Sequence, residues 1–294
     1  MKRQTNAYVL LHLATLLYGL TAILGDLISL QALPLVWWRV LLTALSLLFL
    51  LRMGRDILTL PRKLIAQFMG IGLIVALHWL TFYGAIKLAN ASVALAAFAL
   101  TSFFTSLIEP LLTEKSFDRT ELILGILVIP AMFLIANNLD LHLFKGLLVG
   151  ILSAFLAAVF ATLNKRMVGR ASNYQITFLE MSSACLFLGL FLPFAYADGM
   201  PLIPTPQDWV YLMILALVCT TFAFIITLKA LEKVSAFDAN LIINLEPVYG
   251  MILAALILQG HKEVGPLFYV GVALILLIVL SYPLVRKKFG NARS

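Results

Sequence analysis

A few ionisable and polar residues lie inside long apolar stretches of this sequence. The first is Glu246, which is followed directly by Pro247 and lies in the apolar run 235–258. An ionisable group in the middle of a hydrocarbon layer costs at least about 2.5 kcal/mol, so its side chain must face a protein-lined or wet cavity. Pro247 removes a backbone donor and predicts a helix kink. We expect Glu246 to bind a substrate or exchange a proton, the alternative being a structural acid bonded to a neighbouring helix.

Two amides precede this carboxyl in the same run. Asn240 and Asn244 are spaced i, i+4 and therefore share one helical face. Glu246 lies about 200° round from Asn244 on an ideal helix. Either the Pro247 kink brings these side chains together, or they face different neighbours. All three are candidates for substrate contact.

A second cluster of candidates lies near the middle of the run 65–87. His78 is a candidate proton relay, and Trp79 and Tyr83 are candidates to line a substrate cavity. The alternatives are a histidine that is simply hydrogen-bonded and aromatic anchors at a membrane interface. Tyr18, in the first apolar run, is a weaker candidate of the same kind.

Two opposite charges are embedded near opposite ends of their runs. Arg39 and Glu180 each lie about 9 Å from the edge of a predicted span, at ~1.5 Å per residue. In a core of about 30 Å this leaves roughly 12 Å of depth between them, which is too far for a direct pair. We predict symmetric gate or cavity residues, and the alternative for Arg39 is a side chain that snorkels outward. Glu109 lies near the end of a run, where a carboxylate costs little, so we favour a solvated acid there.

The elements that position these residues must be membrane-spanning helices. Of the 294 residues 62% are hydrophobic and only 12% are charged, against about 25% in ordinary soluble domains. The net charge of +7 is spread over short loops rather than gathered in a patch, so we expect no nucleic-acid partner. The composition predicts an all-α integral membrane protein.

Ten apolar segments and the distribution of basic residues predict the topology. If the N-terminus is cytoplasmic, seventeen of the 21 Lys and Arg residues lie on the cytoplasmic side, three lie outside and Arg39 lies within a span. This asymmetry predicts that both termini are cytoplasmic. The segments cover 6–25, 33–51, 65–87, 92–112, 119–137, 144–164, 174–196, 207–230, 235–258 and 265–285.

The chain also contains an internal repeat. A displacement of about 142–143 residues superposes the first five segments on the last five, with 85–92 over 228–235. We predict two five-helix repeats, 1–139 and 140–294. Because five is odd, the two repeats have opposite orientations in the membrane. Inverted repeats are typical of secondary transporters, which bind substrate at the repeat interface near the midplane.

Several other activities lack their sequence signatures. The chain contains no G-x-x-x-x-G-K-[ST] phosphate loop, no H-E-x-x-H and no G-x-S-x-G, so we expect neither an ATP-driven pump nor a soluble-type hydrolase. No metal site and no cofactor is predicted. A membrane-embedded enzyme and a non-transporting membrane protein remain as alternatives, although the single, scattered polar residues do not favour an enzyme.

Several sequence features are distributed over both halves of the chain, namely Tyr18-Gly19, Arg39, the run 230–236, Glu246-Pro247, Gly250 and a Gly-rich last segment. Through these features the chain resembles the EamA-type members of the drug/metabolite transporter superfamily. The resemblance covers essentially the whole chain, with one departure at 259–261, where that family often has Gly-Glu. It implies a non-enzymatic transporter that exports or takes up small metabolites, such as amino acids, across a bacterial inner membrane by alternating access.

The residues and the resemblance together predict the mechanism. We expect a small metabolite to bind between the halves near Glu246, Asn244, Trp79 and Tyr83. Proton coupling through Glu246 and facilitated diffusion both stay open, as do the direction of transport and the oligomeric state, a homodimer included.

Overall fold

The fold is known from a computed structural model, and it consists of helices throughout the part of the chain that is described. Residues 2–51, 57, 59–136, 141–246, 248–250, 253, 267, 270–271, 273–274, 277–278 and 281 are described. Their helices are α1 (Lys2–Leu27), α2 (Ala32–Leu50), α3 (Arg62–Leu88), α4 (Ala91–Phe98), α5 (Thr101–Leu112), α6 (Arg119–Ala136), α7 (Leu141–Met167), α8 (Asn173–Gly189), α9 (Leu192–Ala197), α10 (Pro206–Met213), the π-helical segment Ile214–Phe222, α11 (Ala223–Leu231) and α12 (Ala236–Ile243).

Within the described ranges, six stretches of helix are long and apolar enough to cross a membrane. The chain is therefore a multi-pass membrane protein by length and composition. The first five predicted segments and the sixth to eighth coincide with described helices, whereas most of 244–285 lies outside the described residues. The six stretches are Asn6–Leu27, Ala32–Phe49, Arg62–Leu88, Val93–Leu112, Leu143–Met167 and Pro206–Leu231.

Two predicted continuous spans are interrupted, and side chains explain the first break. Segment 92–112 divides into α4 and α5 because backbone carbonyls at the junction accept side-chain hydrogen bonds. Thr101 donates its hydroxyl to the carbonyl of Phe98 at 2.6 Å, and Asn244 donates its amide to the carbonyl of Ala99 at 3.0 Å. Segment 174–196 divides before α9, which has a proline in its first turn, a position where the missing N–H costs nothing.

The ninth predicted segment is also interrupted. α12 ends at Ile243, and helical geometry resumes at Glu246 and continues through the described residues 248–250. The predicted segment 235–258 is therefore interrupted about one turn before Pro247, the region in which we expected a kink. Pro247, to which we attributed a kink, lies outside the described residues.

The core forms where helices of the first half of the chain pack on helices of the second half. α3 lies against both α7 and α8, α2 lies against α8, and α1 lies against α11. Close approach requires small residues at such crossings. A Cβ at Gly72 of α3 would lie 2.3 Å from the backbone oxygen of Glu180 on α8. The absence of a side chain at Gly72 therefore lets α3 approach the backbone of α8.

Replacement of Gly19 with Ala is expected to lower the free energy of unfolding by about 1–3 kcal/mol. A Cβ at Gly19 would lie 2.7 Å from the backbone nitrogen of Gly250 and 3.2 Å from the backbone oxygen of Glu246. Backbone atoms cannot rotate away, so α1 must move off the helix that carries Glu246.

Thermal unfolding of the purified protein in detergent measures this effect. The matched control is Gly70→Ala, because nothing lies within 4 Å of a Cβ at Gly70. Helix propensity favours Ala over Gly, so the control is expected to unfold at the same or a slightly higher temperature. Equal unfolding temperatures for Gly19→Ala and the control would contradict the close crossing at Gly19.

Candidate functional site

Arg39 on α2 is buried in the middle of the bundle, with only 2% of its surface exposed. Its Nε donates to the hydroxyl of Thr220 at 2.7 Å, and its Nη1 donates to the hydroxyl of Tyr83 at 3.0 Å. The guanidinium carbon lies 3.8 Å from the ring centroid of Trp79, which is a close cation–π contact. The side chain is therefore held inside the protein and does not snorkel outward.

The partner of Arg39 on the second half of the chain comes from the π-helical segment Ile214–Phe222. Thr220 donates its own hydroxyl to the carbonyl of Leu215 at 2.6 Å, and Thr221 donates to the carbonyl of Ala216 at 2.9 Å. Both bonds run five residues back, in step with the i→i+5 pattern of a π-helix. This conformation places Thr220 so that its oxygen accepts from Arg39, and π-helical turns are frequent at functional sites.

Arg39 faces a partly open central cavity of about 70 Å³. This is room for roughly five waters. Among the described residues, its wall contains one cation, one carboxyl, two amides, several hydroxyls and a set of aromatic rings. The lining residues are Tyr18, Thr21, Arg39, His78, Trp79, Phe82, Phe98, Ala157, Phe160, Ala161, Asn164, Phe224, Thr227, Leu228, Leu231, Ala239, Asn240, Ile243 and Glu246.

Glu246 lines the same cavity and is 3% exposed. Over the residues that the structure describes, Glu246 has no hydrogen-bond partner, and no ion pair joins it to Arg39. A buried carboxyl without a partner is costly unless something else satisfies it. The cavity therefore presents an unpaired carboxyl and a guanidinium that is bonded only to neutral groups.

The two asparagines of the ninth segment face α5, as their spacing predicted for a shared face. Asn240 donates to the hydroxyl of Thr105 at 2.8 Å, and Asn244 donates to the hydroxyl of Ser102 at 2.7 Å. Asn240 also lines the central cavity, whereas Asn244 does not. Asn240 and Glu246 thus both line the cavity, whereas Asn244 faces α5, so the structure does not bring all three side chains to one site.

The aromatic candidates of α3 have different positions. Trp79 lines the central cavity, whereas Tyr83 is not part of its lining and lies against Arg39. Tyr83 therefore orients the guanidinium and does not contact the cavity. On α1, Tyr18 lines the cavity and shares a hydrogen bond of 2.8 Å with Thr227 of α11.

His78 lines the cavity and is bonded to α7. Its Nδ1 lies 2.9 Å from the hydroxyl of Ser153 and 3.0 Å from the backbone oxygen of the same residue. Ser153 also donates to the backbone oxygen of His78 at 3.1 Å. These reciprocal hydrogen bonds join α3 to α7. His78 therefore faces the cavity and is also hydrogen-bonded, as the alternative interpretation of this residue predicted.

Glu180 lies apart from this cavity. Its side chain on α8 is fully buried, and it accepts a long hydrogen bond of 3.4 Å from the amide of Asn164. Asn164 does line the cavity, so the amide stands between Glu180 and the cavity. Arg39 and Glu180 are not bonded to each other, as their depths predicted. The expectation of two symmetric cavity residues is wrong, because only Arg39 lines the cavity.

A buried ionic cluster at the start of α12 was not expected from the sequence. Glu109, which we took for a solvated acid, is 1% exposed. Its carboxylate accepts from the backbone nitrogens of Ala236 at 2.7 Å and Phe237 at 3.0 Å, and it pairs with Lys115 at 2.9 Å. A carboxylate at a helix N-terminus satisfies free N–H groups and the helix dipole. The capping box that begins at Ser235 was the available sequence signal for this helix start.

One end of the bundle is held shut by polar contacts, and we call it the closed end. There the carboxylate of Asp208 accepts from the backbone nitrogen of Ser29 at 2.8 Å and from its hydroxyl at 2.7 Å. Lys87 donates to the carbonyl of Ile28 at 2.7 Å. These contacts join α10 and α3 to the connection between α1 and α2.

The opposite end contains an open depression of about 970 Å³, which we call the vestibule. Tyr8 of α1 lines it, whereas Ser29 of the closed end follows the other end of α1, so the two features lie at opposite ends of the bundle. Asn164 lines the central cavity and Lys165 lines the vestibule, so these adjacent residues mark the boundary between the two spaces. The vestibule is lined by Tyr8, Glu109, Leu111, Leu112, Thr113, Glu114, Lys115, Lys165, Arg166, Arg170, Lys233, Val234, Ser235 and Asp238.

The helices and the central cavity define a multi-pass membrane protein with a mostly apolar cavity at the centre of its bundle, which a few polar and charged side chains line. The EamA-like transporter family model matches residues 5–137 and again residues 144–282. The chain therefore belongs to the EamA-like transporter family, within the drug/metabolite transporter superfamily, which confirms the resemblance. It is a membrane transporter of that type, and the family is one of transporters rather than enzymes.

The other comparisons concern the fold alone. One crystal structure, whose description names no function, matches 97% of this chain and 98% of its own chain with a TM-score of 0.75. The two sequences are 15% identical, so this likeness extends to the architecture and not to the substrate. No curated protein matches the chain.

Proposed function

We propose that this protein is a secondary transporter that moves a small zwitterionic metabolite, such as an amino acid, across the membrane. The observation that carries the proposal is that Arg39 and Glu246 line one central cavity without forming an ion pair. The carboxylate of a zwitterion would bind the guanidinium of Arg39, and its ammonium group would bind the carboxyl of Glu246. Both buried charges would then be paired, which a buried site requires.

The other cavity residues suit the rest of such a ligand. The face of Trp79 and the rings of Phe160 and Phe224 supply apolar surface for a side chain. The amide of Asn240 supplies a neutral hydrogen-bonding group at the same site. A few polar groups in a mostly apolar wall are typical of small-molecule sites.

The two ends of the bundle support alternating access. The closed end blocks one route to the cavity through Asp208 and Lys87, whereas the vestibule leads toward the cavity from the opposite end. A cavity of about 70 Å³ has room only for a few waters, so it must widen before it admits an amino acid. We propose that rocking of the halves opens the closed end and closes the vestibule.

The remaining parts of the proposal concern topology and energy. We propose ten membrane-spanning helices in two inverted repeats, 1–139 and 140–294, in a bacterial inner membrane with both termini cytoplasmic. The seventeen-to-three distribution of basic residues supports this orientation. Exchange of a proton for the ammonium group at Glu246 would couple transport to a proton gradient, and without such exchange the protein would be a facilitator. Its proposed partners are the substrate, the lipid bilayer and, where transport is proton-coupled, protons. The oligomeric state stays open, and a homodimer is one alternative.

Replacement of Glu246 with Gln is expected to abolish transport driven by a pH gradient while membrane insertion stays intact. Gln keeps the shape and hydrogen-bonding capacity of the side chain but offers neither a negative charge for the ammonium group nor an exchangeable proton. The measurement is accumulation of a panel of radiolabelled amino acids and amines in liposomes under an imposed pH gradient.

Asp198→Asn is the matched control, because it removes an exposed carboxyl far from the cavity. Gradient-dependent flux of one compound in the wild type and in Asp198→Asn, lost in Glu246→Gln, would establish the substrate and the coupling residue together. Full pH-coupled flux in Glu246→Gln would overturn the role of Glu246. Silence of the wild type across the whole panel would overturn the proposed substrate class.

A further inference from the structure

Another buried carboxyl, that of Glu180, lies outside the central cavity, on α8 where this helix crosses α3. The side chain of Glu180 is fully buried, and a Cβ at Gly72 would lie 2.6 Å from the α-carbon of Glu180. The backbone of α8 at Glu180 therefore lies directly against α3, and the side chain has no exposed surface. Bulk water does not reach it there.

The hydrogen bonds of this carboxyl are incomplete. Oε2 accepts one long bond of 3.4 Å from the amide nitrogen of Asn164, and Oε1 has no partner. The amide oxygen of Asn164, which is itself 2% exposed, also has no partner. Two neighbouring buried side chains thus each present an unpaired oxygen acceptor. Unpaired acceptors of this kind are rare in folded proteins, because each one loses the hydrogen bonds that it makes in water.

No positive charge of the protein neutralises Glu180 within the described residues. On the helices that pack against α8, Arg39 is bonded to Tyr83 and Thr220 and His78 is bonded to Ser153. A cation that comes from outside the protein is thus the missing partner. Among the described side chains, the other charged or titratable groups on these helices and on α7 are the exposed Arg62, Lys63, Lys145, Arg166 and Lys229, the exposed Tyr196 of α9, Lys87, which is bonded to Ile28, and Lys165, which is bonded to Leu231. On α8 itself they are the exposed Tyr174 and the partly buried Cys185.

A route to this site exists through Asn164. Asn164 lines the central cavity, and the next residue, Lys165, lines the vestibule. A small cation that reaches the cavity therefore meets Asn164 first and Glu180 behind it. The site is separate from Glu246, which lines the cavity directly.

We propose that Glu180 and Asn164 form a binding site for a small monovalent cation, either Na⁺ or a proton, in addition to the substrate site. Oxygen atoms of a carboxylate and an amide are the ligands that hard cations prefer. A bound proton would make Glu180 a donor, and the amide oxygen of Asn164 would accept from it. In both cases one positive charge neutralises the carboxylate and satisfies the two unpaired oxygens.

The role of this site depends on the proposed transport function, because a cation bound beside the cavity can link its own gradient to the movement of the substrate. Binding of the cation itself is independent of the substrate. The test therefore uses the full-length protein in detergent with no transported compound present. Its failure would leave the substrate site untouched, and failure of the amino-acid panel would leave the cation site untouched.

The experiment measures thermal unfolding in sodium chloride and in choline chloride at equal ionic strength, over a range of pH. If Na⁺ is the ligand, sodium is expected to raise the unfolding temperature of the wild type by roughly a few degrees, because a ligand that binds only the folded state stabilises it. Glu180→Gln is expected to lose this shift, and Asn164→Ala is expected to need about tenfold more sodium for half of it. Glu246→Gln is expected to retain it.

If the ligand is a proton, sodium has no specific effect. The pH dependence of the unfolding temperature is then expected to lose one component in Glu180→Gln that Glu246→Gln retains. The proposal would be overturned if the unfolding temperatures of the wild type and of Glu180→Gln responded alike to sodium and to pH. A cation effect that disappears in Glu246→Gln and persists in Glu180→Gln would also overturn it.

Discussion

Replacement of Arg39 with Gln is expected to reduce transport of the zwitterionic substrate by about 100-fold or more. Loss of one partner from a buried, hydrogen-bonded charge pair costs roughly 2–5 kcal/mol of binding, and each 1.4 kcal/mol is a factor of ten. Among the described residues that line the central cavity, Arg39 alone carries a positive charge. Gln cannot replace its charge, and it cannot reproduce the stacked contact with Trp79. The measurement is substrate flux into liposomes, with the amount of folded, inserted protein determined in parallel.

Two further variants separate charge from geometry. Arg39→Lys keeps the positive charge but loses the planar fork that bonds Thr220 and Tyr83 together, so its flux is expected to fall between those of Gln and the wild type. Arg166→Gln is the matched control, because Arg166 is exposed and lines the vestibule. Flux of Arg39→Gln equal to that of Arg166→Gln would rule out a substrate contact at Arg39.

Replacement of Glu109 with Ala is expected to lower the free energy of unfolding by about 3 kcal/mol. The carboxylate satisfies two backbone nitrogens at the start of α12 and shares Lys115 with Glu121. Alanine leaves both nitrogens without this acceptor and removes one of the two carboxylates that neutralise Lys115. Titration with SDS in mixed micelles measures the change.

The neighbouring carboxylate at Glu114 supplies the control for this prediction. Glu114 is exposed in the vestibule, so Glu114→Ala is expected to change stability by less than about 0.5 kcal/mol. If the two variants were equally stable, the carboxylate of Glu109 would not hold the start of α12.

The sequence predicted most reliably what depends on local spacing. The apolar segments placed the helices, and the i, i+4 spacing of Asn240 and Asn244 correctly placed both on one face. The partners of that face, Ser102 and Thr105 on α5, lie about 140 residues away along the chain. No periodicity within one helix identifies such a partner. The helix break after Phe98 was missed for the same reason, because the distant side chain of Asn244 donates to the carbonyl of Ala99 at this break.

The functional residues show a similar division. Charged groups inside apolar runs were correctly singled out, because burial of a charge is costly wherever it occurs. Their contacts were not predictable. Tyr83 and Trp79 are four residues apart on α3, yet Trp79 lines the cavity, whereas Tyr83 does not line it and accepts a hydrogen bond from Arg39. Glu109 was judged from its depth alone, and depth does not show that two N–H groups of another helix point at it.

The π-helical segment Ile214–Phe222 has a mechanical consequence. A π-helical turn holds one residue more than the α-helical turn it replaces, and one residue corresponds to a rotation of about 100° around the helix axis. A register slip that converted this segment to α-helix would therefore swing Thr220 away from Arg39 and turn α11, with Thr227 and its bond to Tyr18, relative to α10. Such a slip would therefore change the orientation of the cavity wall at Thr227 relative to α10, which carries Asp208 of the closed end.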